Sequence, residues 1–253
     1  MEGEAIWRKE GERKRFAVRG MFADIARGYD RMNGLMSFGL HHRWRAFAVG
    51  QLQLSPGDRV LDVCCGTGDF MLPLRKAVGP TGAVVGVDFC LPMLEGAREK
   101  LTPSPTVPPS ARPSRQGEPS LMLGDACRLP IASDTFDGVS VGWGLRNVPD
   151  LDAALGEAAR VLKSGGRFVS LDMARPRNPI VRKTAEFALR RALPVLGKLL
   201  NLGDEAYAYL PESTLRFASR ETLAAAMERA GFVNVAYRDL MFGNLCVHWG
   251  RKS

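Results

Sequence analysis

The densest chemistry in the chain lies in VLDVCCGTGDF, Val60 to Phe70. An apolar run ends in small residues, and a tight loop with Gly66 and Gly68 opens toward a helix. Glycines belong there because a Cβ would hold the backbone away from a bound ligand. Such turns serve many nucleotides, so the details decide. The dinucleotide fingerprint needs a third Gly or Ala, and Met71 occupies that place. No G-K-[ST] follows to make a P-loop. Instead Asp62 sits inside the motif at the strand end. A carboxylate there repels a pyrophosphate and accepts hydrogen bonds from an ammonium, which fits a methionine-like cofactor.

Two further carboxylates follow in order. Asp88 ends VVGVDF, 26 residues after Asp62, one strand-to-strand unit further on. A carboxylate at that place accepts two hydrogen bonds from ribose hydroxyls. Asp125 lies in LGDA, after a short apolar run. It can accept from an adenine amino group while the Ala126 amide donates to a ring nitrogen. Taken alone, Asp88 reads equally as a helix N-cap and Asp125 as part of a Gly-Asp turn. Their order and spacing after the glycine loop favour the ligand reading, because open α/β sheets bind ligands at such strand ends.

The elements that must position these residues are legible as alternating textures. RVLDVCC, AVVGVDF, LML, FDGVSVGW and GRFVSLDM read as short buried strands. Asp69–Val78, Met93–Leu101 and Asp150–Leu162 read as helices between them, the pattern of a doubly wound sheet. Met21–Leu54 reads as helical and Met1–Gly20 as a charged lead. Ser219–Ala230 reads as a helix with Ser219 as N-cap and Gly231 as its stop. FVNVAYRDL and NLCVHWG close the chain as two strands, joined through Met241, Phe242 and Gly243. The layout is one domain: a helical cap over 1–54, a core over 55–175, a second helical cap over 176–218, and a closing helix and strands over 219–253. Within the core, 102–120 is Pro/Ser-rich and is expected to be a mobile surface loop.

Composition narrows the class. The 253 residues are 45% hydrophobic and 25% charged, which is ordinary for a soluble domain. No run approaches the roughly 20 apolar residues of a spanning helix, and the lead is no secretory signal, so a cytoplasmic protein is expected. The five cysteines form no C-x-x-C pair, and three histidines give no zinc spacing, so no metal is expected. A net charge of +8 favours anionic partners. The charge is dispersed and no RNA-binding fingerprint accompanies it, which disfavours a nucleic-acid module.

At this point a resemblance emerges. MFADIARGYDRMNGLMSFGLHHRWR, VLDVCCGTGD, GDACRLPIASDTFDGVSVGWGLRNVPD, ARVLKSGGRFVSLD and YAYLPESTLRFASRETLAAAMERAGF are similar to the ubiquinone/menaquinone biosynthesis C-methyltransferase family. The resemblance spans nearly the whole chain. It implies a Rossmann-like α/β fold: a mostly parallel seven-stranded sheet with helices on both faces and an antiparallel C-terminal strand. It implies S-adenosylmethionine as cofactor and a polyprenylated quinol as substrate. Thr67, Asp88, Asp125 and Ala126 are the implied cofactor contacts. Gly142 stands where the family often has a Ser near the cofactor, and Trp143 where Phe or Tyr is common. By resemblance the substrate is demethylmenaquinol, with a benzoquinol as the alternative. A Rossmann-type oxidoreductase and a methyltransferase for another lipid-like substrate are the competing readings.

Ring-carbon methylation needs an electron-rich ring. The site must hold two reactants at near-attack distance, stabilise a phenolate and remove a ring proton. Arg146 and Asn147, just past a strand end in GLRN, sit where such a ring should lie. Arg146 is effectively always charged, so its expected role is phenolate stabilisation or orientation of a basic water, with Asn147 bonding the ring oxygen or that water. The competing reading of Arg146 is an ion pair with Asp150. Tyr29, Asp30, His41 and His42 are further acid–base candidates. Asn178–Leu200 alternates apolar and basic residues near helical spacing, with Pro194 as a break. It reads either as a pocket cap touching anionic lipid or as a helix over the sheet edge. The oligomeric state, monomer or homodimer, is open.

Overall fold

Val-rich runs covered on both faces make buried parallel strands, and β1 (Arg59–Val63) is the clearest case, with Val60 and Leu61 fully buried. The computed structural model describes residues 5–102, 119–192 and 204–253. β1 pairs in parallel with β2 (Ala83–Asp88) on one side and β4 (Phe136–Gly142) on the other. β3 (Ser120–Leu123), β5 (Leu162–Met173), β6 (Phe232–Leu240) and β7 (Leu245–Lys252) complete a seven-stranded sheet of order β3-β2-β1-β4-β5-β7-β6. β7 runs antiparallel to both its neighbours. The chain winds outward from β1 to β3, then crosses back to β4. That reversal opens a crevice at the carboxyl ends of β1 and β4, the place where such sheets bind ligands.

Two apolar layers hold the helices to the sheet. On one face Leu61, Val139, Leu155, Phe168 and Met227 pack together, joining α6 (Leu151–Val161) and α9 (Arg220–Arg229) to the strands. On the other, Val60, Met71, Leu74, Val169 and Val49 join α3 (His41–Gln51) and α4 (Met71–Val78). α5 (Leu91–Leu101) and α1 (Gly11–Ile25) pack beside one another. Local chemistry sets the boundaries. Asp150 accepts the Ala153 N–H at 3.0 Å and starts α6. Ser219 accepts the Thr222 N–H at 3.1 Å and starts α9, and Gly231 ends it with φ +95°.

Three expectations change. Helix begins at Gly11, inside the charged lead, because α1 needs only a narrow apolar stripe and buries just Val18 and Met21. The span from Met21 onward is not one helix. It breaks at Ala26–Gly28 and again after α2 (Tyr29–Ser37), where Phe38 and Gly39 adopt φ of +49° and +75°. β5 begins at Leu162, earlier than Gly166. In 178–200, Asn178 caps α7 (Pro179–Phe187) by accepting the Ile180 N–H at 2.9 Å, and helix continues to Ala192. Pro194, Leu196 and nearly all of the Pro/Ser-rich loop lie outside the described residues. α8 (Asp204–Arg216) completes the helices of the second cap.

Candidate functional site

The loop after β1 is shaped by left-handed backbone. Cys64, Gly66 and Gly68 have φ of +56°, +53° and +80°, a region that favours glycine. The Gly66 N–H donates to Asp88 Oδ2 at 2.8 Å, and the Cys90 N–H donates to Asp88 Oδ1 at 2.9 Å. One carboxylate thus ties the β1 loop to the end of β2. A Cβ on Gly66 would meet only open space, so its glycine answers to backbone conformation. A Cβ on Gly68 would approach Ala97 Cβ at 3.3 Å, so that glycine lets α5 pack close.

Gly66, Asp88, Asp125, Ala126, Gly142 and Asn147 line one cleft at the switch point. Phe22, Tyr29, Phe89 and Trp143 supply aromatic walls. Asp62, Thr67 and Gly68 are not among the cleft's lining residues. Asp62 is buried at the end of β1, where Ser140 Oγ donates to its Oδ1 at 2.7 Å and its Oδ2 has no partner. Thr67 turns its hydroxyl to Asp30 Oδ1 at 2.5 Å. Lys100 bonds Asp30 at 2.7 Å and also Asp69, and Arg45 pairs with Asp69 at 2.7 Å. This network latches α2 and α3 onto the β1 loop.

Burial raises two carboxyls in this site, Asp62 to about 7 and Asp88 to about 6. For Asp88, bonds from the Cys90, Gly66 and Phe89 amides oppose the shift. Because the fold raises both values, protonation favours the folded chain. Their contribution to stability is full below the unfolded carboxyl range of about 4 and is lost as pH rises through about 6 and about 7. A cationic, hydroxyl-bearing cofactor needs the ionised forms, so its binding runs the opposite way. Affinity for S-adenosylhomocysteine is expected to fall as pH drops from 8 to 5.5. Calorimetric titration across that range checks this; a flat profile contradicts it.

Gly142 is a steric requirement. A Cβ there would overlap the Phe70 ring, so the Ser common in the resembling family does not fit beside Phe70. Gly142→Ser is expected to cost about 1–3 kcal/mol of stability, as overpacking does. Adding Phe70→Leu should recover part of the loss, and urea unfolding of the single and double variants measures it.

Asp125 meets a residue that sequence reasoning missed. Arg15 Nε of α1 lies 3.3 Å from Asp125 Oδ2, and Arg15 lines the cleft. Lys14 donates to the Val148 carbonyl at 2.7 Å. Both basic residues lie in the charged lead, where nothing in the sequence singles them out.

Arg146 and Asn147 follow β4. Arg146 is paired with Asp172 Oδ1 at 2.7 Å and donates to the Trp143 carbonyl at 2.8 Å, while its Nε is buried without a partner. The ion-pair partner is therefore Asp172 on β5; Asp150 is engaged in capping α6. Arg146 faces a second cleft with Trp7, Leu145, Tyr209 and Phe217. Asn147 Nδ2 donates to the Trp143 carbonyl and its Oδ1 accepts from Tyr209, each at 3.0 Å. The Arg146–Asn147 step thus forms part of the wall between the two clefts. His41 is buried and bonded to Ser37, with burial and Arg45 lowering its pKa, and its ring lies tilted beside that of His42, centroids 4.0 Å apart. Tyr29 lines the first cleft, its phenol pushed up by burial.

Comparison with known proteins places this geometry. Residues 8–252 match the ubiE/COQ5 methyltransferase family. A demethylmenaquinone methyltransferase of Lactiplantibacillus plantarum is 39% identical over 236 residues, covering 93% of this chain and 96% of that protein. One of Staphylococcus aureus is 40% identical over 236 residues, covering 93% of each. Among solved structures, a Thermotoga maritima SAM-dependent methyltransferase, described as a possible histamine N-methyltransferase, aligns at TM-score 0.64 and 20% identity. That match covers 93% of this chain and 100% of the other. A SAM-dependent methyltransferase of Aquifex aeolicus aligns at TM-score 0.56 and 19% identity, covering 83% and 89%. These structural likenesses carry the fold.

Proposed function

The chain belongs to the ubiE/COQ5 methyltransferase family, and on that premise we propose that it methylates a ring carbon of a polyprenylated quinol, with demethylmenaquinol as substrate. The observation that carries the cofactor is the conjunction of Asp88, which lines the switch-point cleft, with the partnerless Asp62 Oδ2 buried at the end of β1. Both suit a ligand with ribose hydroxyls and an ammonium, so the residues fit S-adenosylmethionine. The names of the relatives at 39% and 40% identity support the substrate. S-adenosylmethionine supplies an electrophilic methyl group when bound.

Asp88 would take the ribose hydroxyls, and Asp125 with Ala126 the adenine. Gly66 and Gly142 would present backbone to the ligand from the cleft wall. Thr67 and Gly68 would act indirectly, by holding the loop to α2 and α5. Arg146 is fixed by Asp172 and keeps one N–H without a partner. It would stabilise the quinol phenolate, whose charge makes the ortho carbon nucleophilic. Asn147 retains a second amide hydrogen beside the cofactor cleft and would orient the ring oxygen or a basic water. α1, α2 and α8, which line the two clefts, would cap the site and keep water out.

The substrate lives in a bilayer, so peripheral contact with anionic lipid belongs to this proposal. No helix among the described residues is long and apolar enough to cross a membrane. α7 is solvent-facing, with Ile180 72% and Phe187 69% exposed beside Arg182 and Lys183, a pattern that suits an interface. Binding to anionic liposomes is expected at low salt and should weaken at high salt. Failure to co-sediment at low salt would remove the lipid contact and leave the chemistry standing.

A further inference from the structure

Two buried guanidiniums show what full satisfaction requires. Arg220 spends Nε on Asp239, Nη1 on the Arg175 carbonyl and Nη2 on the Gly243 carbonyl. Arg45, only 4% exposed in its side chain, spends Nη2 on Asp69 and leaves Nε and Nη1 without any partner. Stranding the donors of a buried cation is costly, so native proteins pair them with protein, water or ligand. The Arg45 guanidinium lies 4.9 Å from the Trp143 ring centroid and 5.9 Å from that of Phe70. Trp143 is a wall of the cofactor cleft.

The second orphan has the opposite sign. Asp62 Oδ2 is buried and without a partner, and Asp62 and Arg45 are near enough for their charges to act on one another. Yet they form no ion pair among the described contacts. An unsatisfied cation held by Asp69 and an unsatisfied carboxylate oxygen at the end of β1, at the two ends of the glycine loop in sequence, complement the two charges of an α-amino acid.

We propose that Arg45 holds the α-carboxylate of the cofactor's methionyl end while Asp62 Oδ2 takes its ammonium. The inference rests on the cofactor reading above. Arg45 acts here as a binding residue reached from α3, a helix outside the nucleotide-binding motif. Its Nη2 bond to Asp69 fixes the guanidinium and leaves Nε and Nη1 as separate unpartnered donors, one of which would take a carboxylate oxygen.

Calorimetric titration with S-adenosylhomocysteine and with its decarboxylated analogue, which keeps the ammonium, tests the assignment. The unmodified protein should bind the decarboxylated analogue about tenfold or more weakly, the worth of a charge-assisted pair. Arg45→Gln should weaken S-adenosylhomocysteine by about the same factor and change the decarboxylated analogue by less than about threefold. Equal weakening of both ligands would make Arg45 purely structural and overturn the proposal. So would equal binding of both ligands by the unmodified protein, a result that needs no variant to fold. Binding of neither ligand would instead defeat the cofactor reading, and this inference with it.

Discussion

Asp88→Ala is expected to weaken S-adenosylhomocysteine binding about 100-fold or more. The carboxylate has two jobs at once. It holds the Gly66 and Cys90 amides at 2.8 and 2.9 Å, and so fixes the β1 loop against β2. It also faces the cleft, where ribose hydroxyls would donate to its remaining lone pairs. Removing it strands two backbone donors, each worth about 1–3 kcal/mol when buried and unpaired. Asp88→Asn keeps one acceptor and turns an NH2 toward an N–H, so its loss should be nearly as large. Titration calorimetry beside urea unfolding separates the effects. Weaker than tenfold loss in a folded Asp88→Ala protein would place the ribose elsewhere.

Asp172→Ala is expected to cost about 3–5 kcal/mol of stability, the usual result of leaving a buried charge alone. Asp172 is 3% exposed in its side chain and Arg146 8%. Besides the ion pair, Asp172 accepts the Met173 N–H at 2.8 Å. Its loss leaves the Arg146 guanidinium facing only the Trp143 carbonyl, with Nε already unpaired. At about 2–4 °C per kcal/mol for a chain of this size, Tm should fall by roughly 10 °C. The double variant Asp172→Leu/Arg146→Met should regain much of that stability while remaining inactive, because the pair costs desolvation that apolar residues do not. A stable Asp172→Ala protein would mean that Arg146 finds another anion, and its fixed orientation would no longer support the phenolate role.

The sequence was most legible where structure is local. Val-rich runs ending in small residues mark β1, β2 and β4 because burial on both faces selects them. Ser219 and Gly231 mark the ends of α9 because capping uses neighbouring residues. Asp88 could be placed at a strand end from its position alone. Partners drawn from distant elements could not be read. Tyr209 reaches Asn147 across 62 positions and Lys14 reaches Val148 across 134, and no local pattern encodes either contact. Thr67 was located correctly in the loop, but its bond to Asp30 on α2 depends on how the cap docks. α1 went unseen because a helix burying two residues leaves a faint apolar stripe among charges.

The central claim is methylation of a quinol ring, and its most direct test is transfer from labelled S-adenosylmethionine to short-chain demethylmenaquinone, with and without dithionite. The matching benzoquinone runs in parallel. The quinone lacks the phenolate that makes the ortho carbon nucleophilic, so label is expected in the naphthoquinol, and only under reduction. Label incorporated equally without reductant would contradict the phenolate mechanism. Label in neither ring, from protein that binds S-adenosylhomocysteine, would contradict the substrate while leaving the cofactor site in place.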